Sequence, residues 1–198
     1  KIHNVFKVSK SSNSSQICFK QRSEIKAIAS DYKWTAVADG DSVISIYYDE
    51  CLKFTIPLFS SSIKCLAISS SYHLLVCGTK DGFLLFCSLN TGTVVKTVNL
   101  NGMKPMKLLI TPSWGFVAVS IAELEEGKII DYIKLFTING DLIISRKIKS
   151  HVQAWKAFST YHGFDYILMA DSNNDCFFFE AFYLNIEKPF YTSDKQVS

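Results

Sequence analysis

Short apolar runs rich in Ile, Val, Phe and Tyr alternate along this chain with clusters of Asn, Asp, Gly and Ser. Runs of this length between turn residues predict β-strands, and no stretch carries the longer period of an amphipathic helix. The predicted strands fall into groups of four. The first group covers 25–29, 34–38, 43–48 and 53–59, and the second 63–68, 74–78, 83–88 and 93–98. The third covers 106–110, 116–121, 132–138 and 142–147, and the fourth 152–158, 166–169, 176–183 and a short strand near 188–191. Asp39-Gly40-Asp41, Lys80-Asp81-Gly82 and Asn173-Asn174-Asp175 separate second from third strands. Asn90-Thr91-Gly92 and Asn139-Gly140-Asp141 separate third from fourth. Asn, Asp and Gly tolerate the positive φ of tight hairpins, so these clusters are read as turns.

The groups repeat. Ile25-Lys-Ala-Ile28, Cys65-Leu-Ala-Ile68 and Lys107-Leu-Leu-Ile110 are each followed by three residues and an aromatic: Tyr32, Tyr72 and Trp114. Those aromatics stand 40 and then 42 residues apart, and a looser fourth copy runs through Tyr161-His162-Gly163. A period of about 40–45 residues with four strands per copy is that of a propeller blade. The predicted fold is therefore all-β: a propeller of four four-stranded blades at 24–60, 61–101, 102–149 and 150–198. Residues 1–23, with strands at 4–8 and 17–20, would add a partial blade. Four and a half blades suit an incomplete arc of a larger ring better than a closed four-bladed one. The chain also opens on Lys1, so it is expected to be a piece of a longer protein.

Composition narrows the function classes. With 48% apolar and 20% charged residues, the chain is not a disordered polypeptide. The net charge of +3 is too small for an electrostatic partner assignment, and only Arg22 and Arg146 carry guanidinium groups, too few for a phosphate-reading surface. No apolar run reaches the length of a membrane span. The six cysteines form no C-x-x-C pair, and Cys65, Cys77 and Cys87 lie within strands, where a reduced thiol acts as a small buried hydrophobe. The four histidines lack metal-ligand spacing. A reduced, cytoplasmic protein without metal or other cofactor is expected.

The four-strand copies resemble WD-repeat propellers over nearly the whole chain. The signature dipeptides are almost absent: Ser150-His151 stands where Gly-His belongs, and Tyr48-Asp49 resembles Trp-Asp. A narrower resemblance rests on Ser113-Trp114-Gly115-Phe116-Val117, on 132–143 with its F-T-I-N-G-D-L run, and on 61–82. These are similar to the C-terminal propeller of BEACH-domain proteins. That resemblance implies the propeller part of a large scaffold in vesicle and membrane trafficking, with protein partners, neighbouring domains of the same chain and at most peripheral membrane association.

Candidate chemistry is sparse. Asp171-Ser-Asn173-Asn-Asp175 opens like a calcium loop, but Cys176 and Phe182 occupy the positions of its Gly and Glu, so a polar hairpin is expected. Asp39 and Asp41 form a carboxylate pair inside a predicted turn, where turn formation outweighs acid–base catalysis. An enzyme would need His, Asp or Glu converging at the entrances of first strands, and Glu24, Ser62, Pro105 and His151 make a scattered set. No catalytic, nucleic-acid or small-molecule site is predicted. The segment 122–128 lengthens one loop and carries Glu123, Leu124, Glu125 and Glu126, a candidate docking tip for protein partners. The C-terminal aromatics Phe177, Phe178 and Phe179 suit a strand covered on both faces, and Trp34, Trp114 and Trp155 suit blade packing. Arg146-Lys147-Ile148-Lys149 is an exposed strand end rather than a lipid-binding patch. The chain is thus read as a non-catalytic interaction scaffold, with a nuclear or coat-type structural propeller and a propeller hydrolase or lyase as alternatives.

Overall fold

A computed structural model describes residues 23–57, 62–125, 128–186 and 189–192, so the predicted partial blade at 4–8 and 17–20 lies outside the described residues. The described residues form strands and no helix, hence none long and apolar enough to cross a membrane. The first sheet is β1 (Ile25–Asp31), β2 (Trp34–Asp39), β3 (Val43–Tyr48) and β4 (Cys51–Pro57). The second is β5 (Ile63–Ser69), β6 (Leu74–Thr79), β7 (Phe83–Ser88) and β8 (Thr93–Asn99). The third is β9 (Lys104–Ile110), β10 (Val117–Glu125), β11 (Lys128–Phe136) and β12 (Leu142–Ile148). The fourth is β13 (Val152–Ser159), β14 (Asp165–Asp171), β15 (Asp175–Glu180) and β16 (Tyr191–Thr192).

Each sheet is an antiparallel meander in sequence order. β1 lies beside β5, β5 beside β9 and β9 beside β13, so first strands neighbour one another and the sheets fan outward as propeller blades. No comparable contact joins β13 to β1 among the described residues. A register shift recurs where the first strand of every blade begins to pair, at Ile25/Ala27, Ile63/Cys65, Val152/Ala154 and opposite Ser120/Ile121. Such bulges sharpen local twist, which a sheet entering a propeller needs.

Three apolar cores fill the three clefts between consecutive blades. Ile44, Ile46 and Ile56 meet Ile63, Leu75 and Leu89 in the first. Leu84 and Phe86 meet Val117, Val119 and Ile121 in the second. Ile133 and Leu135 meet Ile167, Met169 and Phe179 in the third. The buried cysteines belong here: Cys77 and Cys87 lie in the first core and Cys65 in the second. All three are free thiols, and burial pushes Cys65 up to about 12 and Cys77 well above the ordinary thiol range. Gly78 is required beside them, since a Cβ there would stand 2.6 Å from the Cys65 sulfur and 2.9 Å from Pro105.

Two predicted elements move. The strand expected at 53–59 is β4, Cys51–Pro57, because Asp49 and Glu50 both adopt left-handed φ (49° and 70°) and close a two-residue hairpin directly after Tyr48. The expected loop at 122–128 is largely strand. β10 and β11 pair without interruption out to Glu125↔Lys128, past the last partners of β9 (Ala122↔Lys104) and β12 (Asp131↔Ile148). The residues beyond those points form a two-stranded ribbon that projects from the third blade.

A candidate docking cleft between the third and fourth blades

The turn from β9 to β10 is tightly built. Thr111 N–H donates to the Phe116 carbonyl at 2.8 Å, Phe116 N–H donates to Thr111 Oγ1 at 3.0 Å, and Gly115 N–H donates to the Thr111 carbonyl at 3.2 Å. Gly115 has φ +69°, and a Cβ there would stand 2.5 Å from Ile138 Cγ2 and 2.9 Å from the Tyr72 ring. Only glycine fits. The turn sends Trp114 outward, 59% exposed, with its ring parallel to Phe116 at a centroid distance of 6.1 Å. Trp114, expected to serve blade packing, lies outside the apolar cores and clamps two blades together. Its Nε1–H donates to the Gly163 carbonyl at 2.8 Å, across the blade junction. Trp34 and Trp155, by contrast, pack partly buried against the first and third cores.

Asp165, at the start of β14, is the second fastening. It is 3% exposed and accepts the backbone N–H of Ser113 at 3.0 Å and of Trp114 at 2.8 Å, together with the Ser159 hydroxyl. Similar fastenings tie the other blades on this rim. Asp31 accepts Ser70 N–H at 2.7 Å and its hydroxyl at 2.8 Å, and the Tyr72 hydroxyl donates to the Ser113 carbonyl. Burial, and then the negative field of Asp165, push the Tyr72 phenol above its ordinary value.

Phe164, Glu180 and Phe182 complete the site. Phe182 lies 5.9 Å from Phe116, so Trp114, Phe116 and Phe182 form a continuous aromatic row. With Phe164, Asp165 and Glu180 they line a cleft of about 270 Å³. Phe164 and Phe182 are each about half exposed, so the cleft opens to solvent. Neither carboxylate has an ion-pair partner among the described residues. The arrangement presents an aromatic row on a junction fastened by hydrogen bonds between the two blades.

The predicted docking residues stand elsewhere. Glu123, Leu124 and Glu125 occupy the projecting ribbon, and Glu126 lies outside the described residues. Because the β9–β10 and β10–β11 connections close opposite ends of β10, ribbon and cleft are on opposite rims of the propeller. The S-W-G-F run, which carries the narrower resemblance, builds this turn, and its signal in the sequence is a glycine directly after an aromatic residue.

The other candidates resolve into local structure. Asp39 Oδ1 accepts N–H from Asp41 at 3.1 Å and Val43 at 2.9 Å, and Asp171 Oδ1 accepts N–H from Asn173 and Asp175, both at 2.9 Å. Both carboxylates organise hairpin turns, as Thr79 Oγ1 does by accepting Phe83 N–H at 3.1 Å. His151 Nδ1 lies 2.7 Å from Asp131 Oδ1 of the third blade, and Glu24 pairs with Lys26. Asp49 of the Tyr-Asp pair faces Lys33 at 3.3 Å. The aromatic strand β15 is not covered on both faces as expected: Phe179 is buried in the third core, whereas Phe178 is 48% exposed.

No family model matches this chain, and no curated protein matches it. Solved structures do. The β-propeller domain of Cps50 (Swd1) from Myceliophteria thermophila aligns over 94% of this chain and 56% of its own, with TM-score 0.62 and 14% identity. The WD40 β-propeller domain of Doa1 aligns over 86% of this chain and 55% of its own, with TM-score 0.61 and 14% identity. The computationally designed Ika4 protein aligns over 81% of this chain and 92% of its own, with TM-score 0.62 and 17% identity. The chain spans a little over half the length of the two natural WD-type propellers, and its fold is that of a WD40-like β-propeller.

Proposed function

We propose that this chain is a non-catalytic protein-interaction scaffold that docks a partner in the aromatic cleft between its third and fourth blades. The observation that carries the reading is the cleft itself: exposed Trp114, Phe164 and Phe182 gathered on a junction that Asp165 and the Trp114 indole hold rigid. Exposed aromatic clusters on a preorganised surface are what protein interfaces use as energetic anchors. The acidic ribbon with Glu123, Leu124 and Glu125, with Glu126 next in the chain, is proposed as a second docking element on the opposite rim. The similarity of 113–117 and 132–143 to BEACH-domain proteins supports placing the chain in a large cytoplasmic trafficking scaffold, at most peripherally associated with membranes. A nuclear or coat-type propeller is the competing placement.

Proximity labelling with the intact protein tests both levels. The wild-type neighbour set is compared with those of Phe182→Glu and of a charge-reversed ribbon. Loss of a defined partner from Phe182→Glu alone is expected, with vesicle-coat or tethering proteins among those lost. An identical neighbour set in wild type and Phe182→Glu retires the cleft as a docking site, and a neighbour set of nuclear proteins retires the trafficking placement.

A further inference from the structure

We infer that the far face of the fourth blade, carrying Phe158, Tyr166, Leu168 and Phe178, packs against the same face of a second copy of this chain. The register of the blades carries the argument. The cross-strand pairs Ala36↔Ile46, Val76↔Phe86 and Leu168↔Phe178 hold the same place in the first, second and fourth blades. Each begins three residues before the side chain that organises the following turn: Asp39, Thr79 or Asp171. The first two pairs are fully buried, because the following blade covers them. Leu168 and Phe178 are 41% and 48% exposed, with no following blade among the described residues. The fourth blade therefore presents, uncovered, a face that elsewhere in the chain is a packing face. A sheet face of this kind is complemented by another sheet face, packed about 10 Å away.

Two observations select a second copy in a two-fold arrangement. The first blade offers no free counterpart for a head-to-tail ring, since Val37 and Ser45, on its face turned from the second blade, are buried. The fourth-blade face is instead complementary to itself. It carries one cation, Lys156 opposite Leu168 in the ladder, and one anion, Glu180 opposite Tyr166. Neither has an ion-pair partner among the described residues. A two-fold axis along β14 sets Tyr166 and Leu168 over their own copies and β13 over β15 of the second copy. Lys156 then meets Phe178 of the second copy and stands one pleat repeat, about 7 Å, from its Glu180. The ammonium gains a ring face and a carboxylate there, and the symmetry makes each contact twice. The three long strands of this blade span a flat area on the order of 300 Å², against roughly 800 Å² per partner in a stable interface. The pairing is accordingly reversible, and dilute chains keep this face exposed.

Sedimentation equilibrium of the intact chain from about 5 µM to about 500 µM tests the inference. The mass is expected to rise from one chain to two and no further. Phe178→Lys is expected to abolish the rise. Lys156→Glu and Glu180→Lys each bring like charges together twice and are expected to weaken association at least about tenfold. Combining the two is expected to restore association to within about threefold, which a merely structural role of either residue would not do. Phe182→Glu, in the cleft, is expected to leave association unchanged; a loss there would place the contact in the cleft and overturn the inference. A chain that stays monomeric throughout has this face free or covered by a different sheet, which overturns it as well. Growth beyond two chains, association that survives Phe178→Lys, or a combined charge variant as weak as either single one has the same consequence.

Discussion

Single residues carry more of this fold than their size suggests, and Gly115 is the plainest case. Its left-handed φ and the 2.5 Å approach to Ile138 leave no room for a Cβ. Gly115→Ala is expected to cost about 2 kcal/mol from backbone strain alone, with further loss from the clash, and to release Trp114 from Gly163. Chemical denaturation, together with the shift of the Trp114 indole proton, checks both parts. The thiols set a different residue-scale limit. Cys65 stays protonated to about pH 12 in the folded chain but ionises near 9 when unfolded. Between those values the unfolded state holds fewer protons, so stability present below pH 9 is lost as pH rises toward 12, on the order of 1 kcal/mol per pH unit for this group. Cys77 acts in the same direction. Thermal unfolding followed from pH 8 to pH 10.5 should show this decline, and Cys65→Ala should flatten it. A decline unchanged in that variant would remove Cys65 as its source.

At the scale of elements, the ribbon at the end of β10 and β11 is only loosely tied to the rest of the described strands. Its residues beyond Ala122 and before Asp131 pair only with each other among the described strands. Excising 123–130 and closing β10 to β11 with a two-residue turn is expected to leave stability within ~0.5 kcal/mol, read by urea denaturation. A larger loss would mean that the ribbon supports the blade. The same element shows where the sequence was legible. Strands with strong apolar runs, such as Val43–Tyr48 and Phe83–Ser88, follow directly from pattern. The acidic segment was misread because Glu is depleted in strands, a weak preference that uninterrupted pairing out to Glu125↔Lys128 overrides. The Asp49-Glu50 hairpin was missed because its residues lack the Asn-Gly chemistry that marks such turns, although both adopt the required φ. The cleft was illegible for another reason. Trp114, Asp165 and Glu180 are far apart in sequence and meet only once two blades pack, and nothing local marks that meeting.

For the whole molecule, stability is distributed over the clefts between blades rather than one central core, so what each blade's two faces meet decides its contribution. The fourth blade is asymmetric in this respect. Its inner cleft face holds Ile167, Met169 and Phe179, while its other face presents Phe158, Tyr166, Leu168 and Phe178. Phe158, Tyr166 and Phe178 stack on one another, with Tyr166 and Phe178 at 4.9 Å and 4° between planes. Adjacent residues of one strand therefore make a controlled comparison. Phe179→Ala, at 4% exposure, empties a packed site and is expected to cost about 3–5 kcal/mol. Phe178→Lys, at 48% exposure, gives up two stacking contacts, with Phe158 and Tyr166, and part of an exposed surface, so about 1–2 kcal/mol is expected. It should also lower binding of a hydrophobic dye, since a stacked aromatic patch is replaced by a charge. Both variants are measured in the same intact chain by denaturant unfolding. A Phe178→Lys cost approaching that of Phe179→Ala would show that the far face of the fourth blade is packed in the native protein, making it a fourth inter-blade core rather than a free surface.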